Sequence, residues 1–183
     1  NDKNTFLSKI ENFSIDDLIT LVFDDNVMNA SQSKSFASFI ANSKNLKHLI
    51  LNNSIDCSES REGAISLLES IEKAENLVSL SLRSDKSSNF SFGQILSKQL
   101  SSLLTKKSLK FVDLSFQCIG DEGLREFKTI LSNDDCQIEE LLFDGSHASL
   151  ECLNTFCEDL IENTLKYASY PTEDFHREIE RIE

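Results

Sequence analysis

The sequence predicts an α/β solenoid, with parallel strands along a concave side, helices along a convex side, and leucine and phenylalanine packed between them. Three observations lead there. Six segments share the spacing L-x-x-L-x-L or a close variant; they begin at Leu18, Leu46, Leu77, Leu109, Ile138 and Leu165, which sets the copies 28, 31, 32, 29 and 27 residues apart. After each of the first five, a polar turn leads into a stretch whose apolar residues recur at three- and four-residue intervals, as on one face of a helix. One strand and one helix cannot cover both apolar faces alone, so such units are stable only when stacked on copies of themselves.

Leu109–Leu131 (LKFVDLSFQCIGDEGLREFKTIL) shows the unit most clearly. Val112 and Leu114 fall on one face of a pleat. Gly120-Asp121-Glu122-Gly123 makes the turn, with the glycines supplying backbone freedom. Leu124, Phe127, Ile130 and Leu131 then form a helical stripe.

Taken in order, Phe6, Leu7, Ile10 and Phe13 have helical spacing with no strand before them, the helical half of a unit. This is either a terminal cap or the remnant of an array with more repeats upstream; the chain opens at Asn1 with no initiator Met or signal peptide and reads as trimmed. The first strand carries Leu18, Leu21 and Phe23, followed by Asn26 and Met28, and its helix turns Phe36, Phe39 and Ile40 inward. The second strand holds Leu46, Leu49 and Leu51, and its helix Ala64, Leu67, Leu68 and Ile71. The polar turn between them, Asp56 to Glu62, is about three residues longer than in the Leu109 unit. The third strand holds Leu77, Leu80 and Leu82. Its extended turn, Ser84 to Asn89, is followed by Phe90 and Phe92, read as apolar plugs, and by a helix with Ile95, Leu96, Gln99, Leu100, Leu103 and Leu104.

The fifth strand carries Ile138, Leu141 and Phe143, and its helix Leu150, Leu153, Phe156, Cys157, Leu160 and Ile161. A degenerate sixth strand (Leu165, Ala168, Tyr170) is stopped by Pro171, which cannot donate to a ladder. From Asp174 to Glu183 a terminal helix presents Phe175, Ile179 and Ile182 to seal the last unit, its other faces wet. The chain thus divides as a single domain: 1–15 an N-terminal helical cap or half repeat, 16–170 five full repeats plus the degenerate sixth strand, and 171–183 a C-terminal capping helix.

The L-x-x-L-x-L pattern with a following helix resembles the leucine-rich repeats, and the 28–29-residue strand-plus-helix form resembles their ribonuclease-inhibitor-like subclass. The match is best at Val112–Leu124, where VDLSFQCIGDEGL follows the form LDLSxNxIGDEGL, and the resemblance covers about residues 6–170. It implies a right-handed solenoid of leucine-rich repeats that binds another protein through its concave face. The sequence departs from the family at the Asn, eight residues after the first Leu, whose amide bridges neighbouring turns. Asn26, Ser54, Asp85, Gln117 and Ser146 stand there; all are polar, but only one is Asn.

A short array closed by a terminal helix resembles the repeat domains of tropomodulin- and CARMIL-type actin regulators, which implies actin or an actin regulator as partner. RanGAP-type GTPase activators share the repeat type and an acidic character. They act through Arg and Asn residues on one rim, where Arg83, Asn52 and Asn53 stand in this chain.

With the leucines assigned to the core, the residues flanking the second Leu are left to face out from the concave sheet. Before it stand Thr20, His48, Ser79, Phe111, Glu140 and Tyr167; after it stand Val22, Ile50, Ser81, Asp113, Leu142 and Ser169. Val22, Ile50, Phe111, Leu142 and Tyr167 put apolar or aromatic groups where water is expected. Exposed apolar patches mark interfaces, so this face is the candidate partner-binding surface. The alternative is that these side chains pack on one another or beneath an extended turn.

The net charge is −13, and residues 93–183 carry 18 acids against 9 bases. Such a field repels nucleic acid and anionic membranes and suits a partner with a basic face, although an excess of this size also serves solubility alone. No apolar run approaches the ~20 residues of a membrane span. The five cysteines (Cys57, Cys118, Cys136, Cys152, Cys157) follow no CxxC or metal-ligand spacing, which suits reduced thiols in a cytoplasmic protein. Against that reading stand four Asn-x-Ser triplets, at Asn12, Asn29, Asn52 and Asn89, although a chain rich in both residues is expected to hold several by chance. His48, His147 and His176 lack Cys or Asp partners at metal or triad spacing. No glycine-rich phosphate loop or calcium-loop spacing occurs. The expectation is a non-enzymatic chain with no cofactor and no metal.

Overall fold

The computed structural model describes residues 17–55, 61–86, 93, 96–106, 108–160 and 165–182. Strand and helix alternate: β1 (Thr20–Val22), α1 (Ala30–Asn42), β2 (His48–Ile50), α2 (Arg61–Lys73), β3 (Ser79–Ser81), α3 (Ser97–Leu104), β4 (Phe111–Asp113), α4 (Gly120–Leu131), β5 (Glu140–Leu142), α5 (Leu150–Leu160), β6 (Tyr167–Ala168) and α6 (Thr172–Ile182). The six strands form one parallel sheet in sequence order. Its register is uniform, so Leu21, Leu49, Leu80, Val112, Leu141 and Ala168 make a single row across it. That row faces the helices, and Leu49, Leu80, Val112 and Leu141 are 0% exposed.

Leu46, Leu77, Leu109 and Ile138 bury below this row, and Phe23, Leu51, Leu82, Leu114 and Phe143 above it. Opposite them stand Phe36, Ile40, Leu67, Ile71, Leu100, Phe127 and Phe156 from successive helices. Strands pair about 4.8 Å apart and helices pack about 8–10 Å apart. An array in which both repeat once per unit must therefore curve with the strands on the inside. The leucine-rich-repeat solenoid expected from the spacing is the fold observed.

The ladder outlasts the three-residue strands. At the strand exits the Phe23 and Asp25 amides donate to the Ile50 and Asn52 carbonyls (2.9 Å each), and the Phe116 amide to that of Asp144 (2.7 Å). The chain then leaves the sheet through a left-handed residue at the same place in four repeats: Asp25, Asn53, Phe116 and Gly145. Side chains tie successive turns where the family uses Asn. The Ser54 hydroxyl donates to the Phe23 carbonyl and the Gln117 amide to the Leu82 carbonyl. Serine and glutamine thus rebuild part of a bridge that the residue types alone did not promise.

Several details differ from the sequence expectation. Of the expected turn Gly120–Gly123, Asp121, Glu122 and Gly123 lie within α4 and make no turn; a Cβ at Gly123 would stand 3.0 Å from that of Ile119, so its smallness serves close packing. Tyr170, expected to continue the third core row, is 68% exposed and stacks on Phe175 at 5.2 Å, because Pro171 turns the chain away from the sheet. Ile179, expected to seal the last unit, is 56% exposed; α6 is held at its first turn, and among its described side chains Phe175 is the apolar one packed against the core. The expected N-terminal cap or half repeat 1–15, most of the extended turns, Phe90, Phe92, Ile95, Ile161 and Cys57 lie outside the described residues, as does the side chain of Ile182.

Cys136, Cys152 and Cys157 are free thiols. Burial pushes all three above the ordinary thiol range, which suits packing more than reactivity. No helix among the described residues is long and apolar enough to cross a membrane.

Candidate protein-binding face

The strand register sets the residues flanking the buried row in two columns on the concave side. Thr20, His48, Ser79, Phe111, Glu140 and Tyr167 align in one; Val22, Ile50, Ser81, Asp113 and Leu142 align in the other. The expected residues are therefore brought together on one face, but they are not equally available. Thr20 and Glu140 are exposed, Val22 and Tyr167 are each 56% exposed, and His48, Ile50, Ser79, Phe111 and Leu142 are half-buried. Ser81 and Asp113 depart from the expectation: each is 7% exposed. The Ser81 hydroxyl donates to Asn52 Oδ1 (2.6 Å), and Asp113 Oδ1 accepts the Ser115 amide (2.9 Å), so Ser81 is tied to the exit of the neighbouring β2 and Asp113 to the exit of its own strand. The face is thus apolar and open at its two ends and small and polar in the middle.

At the amino ends of the strands, Glu139 joins three repeats. Its carboxylate accepts from Lys110 Nζ (2.7 Å) and Lys166 Nζ (2.6 Å). These two bonds hold its pKa at about 2, well below the usual glutamate range.

The carboxyl ends carry a separate constellation, of which the sequence had singled out Arg83, Asn52 and Asn53. Arg83 lies over the Phe116 ring at 5.5 Å, and Gly145 leaves the room for that ring to sit. Asn52 Oδ1 also accepts the Arg83 amide (2.9 Å), and Asp25 Oδ1 takes the Asn53 amide group (3.0 Å). Arg83, Asn52 and Asn53 do stand on one rim, with both asparagines engaged in joining repeats. Beside them a cavity of about 270 Å³ is lined by Lys86, Phe116, Cys118, His147, Glu173 and Arg177, among others. Its charges are paired internally: Lys86 meets Glu173 at 2.5 Å and Arg177 meets Asp174 at 3.2 Å.

Burial, then repulsion from Arg177, push the His147 imidazole below its ordinary pKa, with Asp174 pulling the other way. Asp174 had only a positional signal in the sequence, as the start of the expected terminal helix after Pro171, and that signal says nothing of burial. Among the described residues no group of three His, Cys, Asp or Glu side chains is placed to hold a metal.

No family model matches the sequence, and no curated protein matches it. Solved structures do. The tropomodulin C-terminal domain of Caenorhabditis elegans aligns over 100% of this chain and 98% of that one, with a TM-score of 0.57 at 18% identity. Leiomodin-1 actin-binding site 2 aligns over 100% and 94%, with a TM-score of 0.42 at 11% identity. At these identities the match to tropomodulin shows a shared fold.

Proposed function

We propose that this chain is a non-enzymatic protein-binding module whose concave strand face receives the partner. The observation that carries this is the exposure of Val22 and Tyr167 at 56% each in one aligned face, alongside half-buried Ile50, Phe111 and Leu142. A repeat array gains nothing by leaving such groups in water unless another surface covers them. The finer reading is an actin-cytoskeleton regulator of the tropomodulin kind. Its support is a shared fold running the whole length of both chains, together with the layout of a short array and terminal helix.

Two measurements test these levels separately. Affinity capture compares the wild type with a Val22→Glu, Ile50→Glu double variant. A partner retained by the first and lost by the second supports the concave face, and equal retention removes it. Pyrene-actin polymerisation at micromolar protein tests the finer reading: altered growth at filament ends supports it, and unchanged kinetics end it.

A further inference from the structure

We propose that Phe111, Glu140 and Tyr167 form a receptor for an arginine side chain presented by a basic segment of the partner protein. The inference rests on the reading of the concave face as the binding surface and names the chemistry that one corner of it selects. The strand pairing places Phe111 opposite Glu140 and Glu140 opposite Tyr167, so a carboxylate stands between two aromatic side chains in one row. Glu140 is exposed, and its carboxylate makes no hydrogen bond or ion pair among the described residues. The neighbouring cations are already engaged: Lys110 and Lys166 both close on Glu139, one residue earlier and at the strand edge. Asp113, on the strand beside Glu140, is buried and accepts the Ser115 amide, so it does not compete.

Strands two apart in a sheet are separated by about 10 Å, so a cation midway stands about 5 Å sideways from the strand carrying each ring, a span that a ring leaning toward Glu140 closes. A guanidinium fits this arrangement better than an ammonium. Its plane stacks on an aromatic face and its fork matches a carboxylate with two hydrogen bonds. Leu142, two residues beyond Glu140 on the same face and half-buried, offers a floor for the aliphatic stem. The net charge of −13 draws a basic segment toward the molecule, while the ring–carboxylate–ring row decides where it settles.

The test uses the whole chain and a tetra-arginine peptide, with tetra-lysine and tetra-citrulline peptides as comparators, followed by amide chemical-shift titration. Shifts centred on Phe111, Glu140, Leu142 and Tyr167 are expected, with arginine tighter than lysine and citrulline inert. Glu140→Gln should weaken arginine binding about tenfold. Glu122→Gln, the same charge loss on exposed α4, should change it less than about twofold. Phe111→Leu and Tyr167→Leu, which leave the charge untouched, should each weaken it about threefold.

The proposal is overturned if Glu122→Gln and Glu140→Gln are equally damaging, if the leucine variants bind like wild type, or if shifts fall outside this corner. Loss of partner capture by the Val22→Glu, Ile50→Glu variant alongside arginine-indifferent titrations would sink this site alone. Capture unaffected by that variant sinks the broader reading.

Discussion

Phe116 holds a left-handed backbone conformation (φ 62°) that large L-residues rarely adopt. Its neighbours account for it. Arg83 covers one side of the ring, and the bare Cα of Gly145 lies against the ring; a Cβ there would stand 2.4 Å from Phe116 Cδ1. Gly145 is itself left-handed (φ 72°), so Gly145→Ala meets both a backbone and a packing objection. We expect it to lower stability by about 2 kcal/mol or more, read from urea unfolding. Adding Phe116→Gly to it should recover part of that loss, because the clash then has no ring to meet. Little of this was legible beforehand: Phe116 falls at a variable position of the repeat, and a single chain does not reveal which glycines answer to a neighbour.

At the scale of the element, α6 shows the limits of periodicity. Phe175, Ile179 and Ile182 recur at helical spacing, and the helix is there, but its attachment is polar. Asp174, with its side chain 0% exposed, accepts the Ser146 amide and hydroxyl (2.8 and 3.0 Å) and the His147 amide (2.8 Å), and pairs with Arg177. Asp144 accepts the Glu173 amide (3.0 Å), and Arg177 reaches the Ala148 carbonyl (2.7 Å). Removing a buried, fully engaged carboxylate leaves donors without acceptors and costs about 3 kcal/mol.

Asp174→Ala should therefore raise amide exchange across residues 172–182 while β2 to β4 keep their protection, as hydrogen-exchange mass spectrometry would show. Equal loosening of β2 to β4 would mean that the clasp supports the whole array. Spacing tells which side chains share a face; it does not tell how close that face comes to its neighbour. The strands were easier to read, because every Leu of the strand pattern had to point at the helices for any core to form.

For the molecule as a whole, the legible part was the repeat itself. Six strand starts set the register now seen from Thr20 to Tyr167, since a slip of one residue would have turned every leucine into solvent. The electrostatic joints were hidden, being made by side chains from three different turns. The Lys110–Glu139–Lys166 bridge gives one such joint a testable pH signature. Glu139 titrates at about 2 in the folded chain against about 4.5 ordinarily, so the unfolded chain binds its proton first on acidification. Its contribution is whole above the unfolded value and disappears as the pH falls toward 2. The difference in Tm between wild type and Glu139→Gln should be steady from pH 7 to 5 and vanish near pH 2. A difference that persists at pH 2 would assign the bridge no part in stability.

The Arg83–Phe116–Gly145 stack also runs across three turns, and it has a consequence for descent. A lineage that acquires a side chain at the third position must first have surrendered the ring at the second. Among relatives of this chain, an aromatic at the one site should therefore travel with a glycine at the other.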